Sequence, residues 1–328
     1  MDVPIRRLGR SNIEVSTLGM GCWAIGGPWT FVDHPAGWGK VDDEESLRGL
    51  RAALDLGVNF FDTAANYGCG HSERLLGRGL IGQRQQVVIA TKFGYQVDED
   101  HKIVTRYPDS PAVHLREDCL ASLRRLNTDY IDLYQFHVGD YDPKSATEVR
   151  DALEDLVSEG LIRWYGWSTD NVEGAKIFSQ GEHCTAIQHI LNMGHDAPEM
   201  LALCEQQELA SVNRSPLGMG MLGGKFTPQT RFPEDDVRHN FDLRVGPLAE
   251  RFSQLEQLRQ AFASNDRALA QIALAWIWKR SPVTIPIPGF KTVEQVLENI
   301  EAALLEPLTP DQMLAIDTVF GHYHPGSG

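Results

Sequence analysis

Four side chains that can exchange protons or hold charge stand close to the ends of three successive apolar runs. Asp62 follows VNFF, Lys92 follows VVIAT and His137 follows YIDLYQF. Tyr67 comes shortly after Asp62. A phenol has an ordinary pKa of about 10, which is high for proton donation, and a neighbouring ammonium lowers it. Asp62 can hold Lys92 by an ion pair, and His137 can donate a hydrogen bond to a carbonyl oxygen.

This combination suits the reduction of a carbonyl group, in which hydride reaches carbon and Tyr67 gives a proton to oxygen. The chain has no hydride source of its own, so a nicotinamide cofactor must supply it. A different interpretation makes Lys92 a Schiff-base lysine of an aldolase-like lyase. That chemistry needs a neutral amine, and Asp62 as a counter-ion opposes neutrality. Each residue taken alone also has a structural explanation as a cap, a solvated charge or a packing side chain.

The elements that must position these residues alternate along the chain. Short apolar runs alternate with amphipathic segments, and we predict strands at 17–22, 58–61, 87–91, 130–136, 163–167, 185–189, 210–213 and 283–286. Alternation of this kind predicts an α/β protein with a parallel sheet. Eight such units favour a (β/α)8 TIM barrel, in which active sites lie at the carboxyl ends of the strands. An open doubly wound sheet would carry GxGxxG after its first strand, where this chain has GMGCW.

Three further features of the pattern lead to expectations about the fold. Residues 3–16 alternate and predict a β-hairpin that closes the barrel floor. Asp42 and Glu45 predict a capping box at the start of the first helix. The stretches 93–110 and 218–246 are expected to be long loops, which are usually functional in compact domains. We expect residues 1–328 to form a single domain.

Composition excludes several classes of partner. The net charge is -15, which disfavours nucleic acid and anionic membranes. The five cysteines are odd in number and form no CxxC pair, so we expect neither a disulfide framework nor a metal site. No signal peptide and no apolar run of membrane-spanning length is visible. These features predict a cytoplasmic protein, with its oligomeric state left open.

Three long motifs now support a family resemblance. FFDTAANYGCGHSERLLG, VVIATKFG and LRRLNTDYIDLYQFH resemble, in the same order, the motifs of the aldo-keto reductases, and the likeness covers essentially the full chain. It implies a catalytic tetrad of Asp62, Tyr67, Lys92 and His137. It also implies a carbonyl reductase that acts on small aldehydes or ketones. Some relatives serve ion channels, so a regulatory subunit with little turnover is an alternative, although the intact tetrad opposes it.

The same resemblance implies an NADP(H) site. Thr169 replaces an Asn that binds the carboxamide in the family, Arg214 replaces an aromatic ring, and Gln295 replaces a basic residue. Lys291 can supply charge for a 2′-phosphate, so NADP is expected over NAD. Thr292 with Gln295 also has the spacing of a capping box. The residues expected to bind the cofactor are Trp23, Asp62, Ser168, Gln188, Arg214, Ser215, Leu217, Gly218, Lys225, Gly289, Lys291, Gln295 and Asn299. The aromatic residues Trp29, Phe31 and Trp38 are expected either to wall the substrate pocket or to pack their own loop.

Overall fold

The sheet at the centre of the molecule contains eight parallel strands. The structure is a computed structural model that describes residues 3–262 and 267–322. Around the sheet the strands follow the order of the sequence: Met20–Gly21, Phe60–Asp62, Val88–Phe93, Ile131–Phe136, Ile162–Ser168, Cys184–Ile190, Ala210–Arg214 and Thr284–Pro286. The N–H groups of Gly19 and Gly21 donate to the carbonyls of Pro286 and Pro288, both at 2.9 Å. These bonds join the first strand to the last, and the predicted (β/α)8 barrel is confirmed.

Helices surround the barrel and pack their apolar faces against it. One helix follows each of the first six strands. Two helices follow the seventh strand, and two follow the eighth. Their bounds are Asp43–Asp55, His71–Gly79, Pro111–Leu126, Ala146–Ser158, Val172–Phe178, Pro198–Gln206, Gly246–Ala261, Leu269–Arg280, Val293–Ala302 and Pro310–Phe320. No helix of the described residues is long and apolar enough to cross a membrane. All five cysteines are buried and unbridged.

The capping box predicted for Asp42 and Glu45 is only half formed: Asp42 caps the first helix, but Glu45 does not return the bond. The side chain of Asp42 accepts hydrogen bonds from the N–H groups of Glu44 and Glu45, at 2.9 and 3.1 Å. The carboxylate of Glu45 does not turn back to Asp42. It accepts the N–H of Val293 at 2.8 Å instead, at the amino end of the last barrel helix. A carboxylate is favourable there because it meets the positive end of the helix dipole.

The floor of the barrel is closed by the predicted hairpin. Ile5–Arg7 pairs antiparallel with Glu14–Ser16. Leu8 and Val15 are buried in the cluster that fills the barrel interior. Thr185, which lies near the start of the sixth strand, donates its hydroxyl to the Leu8 carbonyl at 2.7 Å. The turn also requires glycine at Gly9, where φ is +55° and an added Cβ would lie 2.1 Å from the Thr185 carbonyl oxygen.

The expectation of a plain loop at 93–110 was wrong. Tyr95–Asp98 and Ile103–Arg106 form an antiparallel hairpin there. Its second strand pairs in parallel with Thr30–Phe31, which in turn pairs with His34–Pro35. The result is a four-stranded sheet that joins the loops after the first and third barrel strands. The stretch 218–246 agrees with the expected long loop, because between the 3-10 turn Gly218–Gly223 and the helix that begins at Gly246 it holds one isolated bridge, from Asp236 to Trp38.

Candidate active site

The ammonium of Lys92 connects the residues that the sequence places at neighbouring strand ends. Its Nζ donates to Oδ1 of Asp62 at 2.5 Å and lies 3.2 Å from the hydroxyl oxygen of Tyr67. A third bond, of 2.9 Å, goes to the backbone carbonyl of Thr63. The three expected residues therefore meet in one hydrogen-bonded group, with Lys92 at its centre.

Lys92 lies deeper than its predicted place after a strand. The strand Val88–Phe93 contains it, and its side chain is 0% exposed. A buried ammonium is tolerated only when it is paired and hydrogen-bonded. Asp62 is equally buried, and its second carboxylate oxygen accepts amide N–H groups from Gln135 at 3.0 Å and from Gln188 at 2.7 Å. The ion pair is thus fully hydrogen-bonded within the barrel.

The pKa shifts of this group correct one expectation. Burial alone lowers the pKa of Lys92, but Asp62 and then Tyr67 outweigh it, and the net pKa lies above the ordinary value. Burial raises the pKa of Tyr67, and the neighbouring Lys92 only partly offsets this. The phenol is therefore not more acidic than an ordinary tyrosine, contrary to the simple argument from a neighbouring cation. It keeps its proton at neutral pH.

His137 follows the strand Ile131–Phe136 and stands beside the phenol. Its ring centroid lies 5.8 Å from those of Tyr67 and Tyr95, each in an edge-on arrangement. Burial, followed by the charges of Lys92 and Arg214, brings its pKa well below the ordinary value. The imidazole is therefore neutral at neutral pH. Its Nδ1 is buried and has no hydrogen-bond partner within the described parts of the chain.

One cavity of about 490 Å³ runs along the mouth of the barrel. Such a volume is in the usual range of ligand sites. Most of the predicted site residues line it: Trp23, Asp62, Tyr67, His137, Ser168, Gln188, Arg214, Ser215, Leu217, Lys225, Gly289, Lys291, Gln295 and Asn299. Lys92 lies behind Tyr67, and Gly218, although it belongs to the same loop as Ser215, is not among the lining residues. The predicted residues that line the cavity thus come from the ends of nearly all the barrel strands.

The end of the cavity near Tyr67 is lined by polar side chains with defined partners. Gln188 turns its amide nitrogen towards Asp62 and also donates to Oε1 of Gln135 at 3.2 Å. Arg214 forms an ion pair with Asp170. The hydroxyl of Thr169 donates to the Gly139 carbonyl at 2.6 Å, and Thr169 does not contribute to the cavity wall. Thr169, which stands where the family has a carboxamide-binding Asn, therefore has its side chain engaged outside the cavity.

The loop after the seventh strand has an unusual backbone. Ser215 and Met219 have φ values of 53° and 55°, and Gly218 and Gly220 have 54° and 91°. Gly218, Met219 and Gly220 are thus three consecutive left-handed residues, and the N–H groups of Gly218 and Gly220 donate to the carbonyls of Ser215 and Leu217 at 2.9 and 3.0 Å. Non-glycine residues in this region are also strained, and strain of this kind clusters at functional sites.

The far end of the cavity carries the charges expected for a phosphate, together with competing carboxylates. Lys291 donates its ammonium to the backbone carbonyl of Trp38, and burial lowers its pKa. Lys225 lies 3.9 Å from Glu294 and 3.7 Å from Glu298. Gln295 accepts the N–H of Lys291 at 2.7 Å, so Thr292 caps the helix without the reciprocal bond of a capping box.

Arg238 and Asn66 line the cavity but were missed from the sequence. Arg238 forms a two-point ion pair with Asp236, and its guanidinium lies 4.3 Å from the ring centroids of Trp38 and Phe232. The sequence feature that could have indicated Arg238 is an arginine within a long loop that also contains several aromatic residues. Asn66 directly precedes Tyr67, and that adjacency was the only sign of its position.

The aromatic residues of the first loop divide between the two expected roles. Trp23 stacks on Tyr67, with ring centroids 5.9 Å apart, and Trp38 meets Trp23 edge-on at 5.2 Å. Trp29 and Trp38 both line the cavity. Phe31 instead packs edge-on against Tyr95 at 5.4 Å, within the four-stranded sheet at the barrel mouth.

Comparisons with known proteins agree with this geometry. A model of the Aldo/keto reductase family matches residues 17–320. The uncharacterized oxidoreductase YqkF of Bacillus subtilis is 29% identical over 316 residues, which cover 95% of both chains. The NADH-specific methylglyoxal reductase of Escherichia coli is 30% identical, covering 90% of this chain and 92% of that one.

A solved structure is similar to this protein in fold as well as in sequence. The glycerol dehydrogenase of Gluconobacter oxydans has a TM-score of 0.82 and 30% identity, covering 98% of this chain and 96% of that chain. The family match spans far more than half of the sequence and includes every residue of the tetrad. The protein therefore belongs to the aldo/keto reductase family and is an oxidoreductase.

Proposed function

We propose that the protein reduces small aldehydes or ketones with NADP(H), and oxidises the corresponding alcohols, with Tyr67 as the general acid and base. The observation that carries this proposal is the position of the Tyr67 hydroxyl. It lies 3.2 Å from the Lys92 ammonium, on the wall of a cavity that is also lined by His137. A proton donor with a fixed partner therefore faces a space that can hold a carbonyl compound.

Each member of the tetrad has its own task in this proposal. Tyr67 gives its proton to the carbonyl oxygen in reduction and takes it back in oxidation. Lys92 favours the phenolate that this transfer leaves behind, because its positive charge lies beside the oxygen. Asp62 holds Lys92 in place and charged. His137, which is neutral, offers a ring N–H that orients the carbonyl oxygen without bringing a second positive charge.

The cavity also fits a nicotinamide dinucleotide. When bound, that cofactor supplies the hydride. Ser168, Gln188 and Arg214 would hold its carboxamide end, because they line the cavity close to Tyr67. The loop between Ser215 and Gly220 lies on the cavity wall, and its backbone and the Ser215 hydroxyl would contact the two phosphates.

Support for NADP over NAD comes from the cations at the far end. Lys225, Arg238 and Lys291 line that end, and a 2′-phosphate would meet at least one of them. The carboxylates of Glu294 and Glu298 lie close to Lys225 and reduce this advantage. The Escherichia coli relative is named as NADH-specific, so both cofactors must be measured side by side.

The Schiff-base alternative is disfavoured by the state of Lys92. Its pKa is raised, and its ammonium makes three hydrogen bonds in the barrel. A neutral amine that could attack a carbonyl is therefore rare at neutral pH. A regulatory subunit without turnover would not need this paired and buried group.

A panel of aldehydes and ketones, monitored by NADPH absorbance, tests the proposal. Tyr67→Phe should retain cofactor binding, measured by quenching of tryptophan fluorescence, and should lose at least about 10²-fold in turnover. Tyr130→Phe is the matched control, because the Tyr130 ring packs against Arg84 away from the cavity. Unchanged turnover in Tyr67→Phe, or no turnover of any carbonyl by the unmodified protein, would contradict the proposal.

A further inference from the structure

Asp170 is an acidic residue that connects the ends of three neighbouring barrel strands. It comes two residues after the strand Ile162–Ser168, and its Oδ1 accepts the N–H of Ile190 at 2.8 Å, at the end of the next strand. Its other oxygen pairs with Arg214, which ends the strand after that. Ile190 and Arg214 are register partners in the sheet. One carboxylate therefore holds Arg214 from across the neighbouring strand.

The backbone that carries Asp170 is itself held on both sides. The Thr169 hydroxyl donates to the Gly139 carbonyl at 2.6 Å and accepts the N–H of Asn171 at 3.0 Å. The side chain of Asn171 caps the helix Val172–Phe178. The loop after the fifth strand therefore holds Asp170 in a defined place.

Arg214 brings a positive charge to the part of the cavity where the proposed chemistry takes place. Its side chain is 33% exposed and lines the same cavity as Tyr67 and His137. Burial has the largest effect on the pKa values of Tyr67 and His137, raising the first and lowering the second, and the Arg214 charge acts to lower both. Among the residues that the structure describes, Asp170 is the carboxylate that pairs with this guanidinium.

The two redox forms of a nicotinamide differ in charge. The oxidised ring is cationic and the reduced ring is neutral, whereas the phosphates are common to both forms. A guanidinium alone at the nicotinamide end of the cavity would therefore disfavour the oxidised form. A carboxylate paired with that guanidinium offsets most of its field, and the repulsion is then small.

We propose that Asp170 is a positioning and charge-compensating residue that sets the relative affinity of the site for oxidised and reduced dinucleotide. It holds the Arg214 guanidinium at the cavity wall and offsets its charge, so that the cationic ring is accepted there. The form that is produced in reduction and consumed in oxidation then binds with less repulsion. This inference rests on the dinucleotide site proposed above and adds to it a residue that is not itself among those lining the cavity.

The dissociation constants of NADP+ and NADPH, measured by titration calorimetry at low ionic strength, test this role. Asp170→Asn keeps the size of the side chain and an acceptor for the Ile190 N–H, but it leaves the Arg214 charge uncompensated. The ratio of the NADP+ constant to the NADPH constant should rise by about threefold or more. Arg214→Met should lower the ratio, because it leaves the Asp170 carboxylate alone. The double variant should bring the ratio back towards its original value.

Asp151→Asn is the matched control, because Asp151 is an exposed partner of Arg150 and neither residue lines the cavity. Its ratio should equal that of the unmodified protein. Equal changes of both constants in Asp170→Asn would mean that Asp170 only braces its loop, and they would overturn the inference. A rise of the ratio in Arg214→Met would contradict it as well. If the unmodified protein binds neither form, the proposed dinucleotide site itself fails, and that result differs from an unchanged ratio.

Discussion

Gln135 donates its side-chain amide to Oδ2 of Asp62 at 3.0 Å, from a strand two places away in the barrel sheet. The other oxygen of that carboxylate is bonded to Lys92. Gln135 also accepts an N–H from Gln188, which donates to the same Asp62 oxygen. Two amides thus fix the orientation of the carboxylate that holds the Lys92 ammonium.

Removal of this amide should weaken catalysis without removing any member of the tetrad. In Gln135→Leu we expect kcat/KM for reduction to fall by about tenfold, the size of a lost hydrogen bond to a charged group. Asp62 raises the pKa of Lys92. A less firmly held Asp62 should therefore move the decline of activity at high pH to lower pH. Gln85→Leu, an exposed glutamine, is the control. An unshifted pH profile would show that Gln135 is not a positioning residue.

The raised pKa of Tyr67 predicts different pH dependences for the two directions. In the proposed mechanism reduction needs the protonated phenol, and burial raises the pKa of that phenol above its ordinary value. The rate of reduction should therefore not fall through loss of this proton at neutral or mildly alkaline pH. Oxidation needs the phenolate, so its rate should rise with pH over the same range. Profiles of kcat/KM in both directions measure this, and a phenol titrating near neutral pH would contradict it.

Lys291 should discriminate between the two dinucleotides. Replacement by Met removes a cation from the far end of the cavity, and we expect NADPH affinity to fall by about tenfold or more while NADH affinity changes little. Fluorescence titrations with both cofactors at two salt concentrations measure the effect. Lys144→Met, on the exposed surface, is the control. An equal loss for both cofactors would place Lys291 away from the 2′-phosphate.

Asp118 should limit stability at alkaline pH. Burial, only partly offset by the hydrogen bond from Tyr107, raises its pKa to about 6. Because the folded pKa lies above the ordinary 3.8, the carboxyl favours folding only while it is protonated. That contribution is lost as the pH rises through about 6.

Asp118→Asn keeps the acceptor for Tyr107 and removes the titration. It should raise the free energy of unfolding at about pH 8 by about 1–3 kcal/mol, and by less at about pH 5. Thermal unfolding at the two pH values, with the exposed Asp129→Asn as the control, provides the measurement. A gain that does not depend on pH would contradict this account of Asp118.

The sequence predicted most of the barrel because each helix and strand has its own periodicity. The carboxyl ends of the strands meet at one edge of a parallel barrel, and this rule alone predicts that Asp62 and His137 lie at the same edge. The four-stranded sheet was missed for a physical reason. Its hairpin at Tyr95–Asp98 and Ile103–Arg106 is completed by a strand some seventy residues earlier, at Thr30–Phe31. Nothing in either segment alone indicates that pairing.

The sequence placed most of the predicted residues around one cavity, but it did not predict the direction of the Tyr67 pKa shift. The neighbouring ammonium suggested an acidic phenol, whereas the depth at which Tyr67 is buried reverses the sign of the pKa shift. Depth depends on the packing of many distant residues, and a local motif does not contain it. Asn66 was missed for a similar reason, since an asparagine near a turn is ordinary until its unpaired oxygen is seen.

The strand pairing between Thr30–Phe31 and Ile103–Arg106 couples the loops after the first and third barrel strands to each other. An insertion in one loop would pull on the backbone of the other, because the two share hydrogen bonds over the barrel mouth. Attempts to transplant a new substrate range into this scaffold should therefore exchange both segments together. Evolution of the pocket is expected to proceed by paired changes in these two stretches rather than by independent drift.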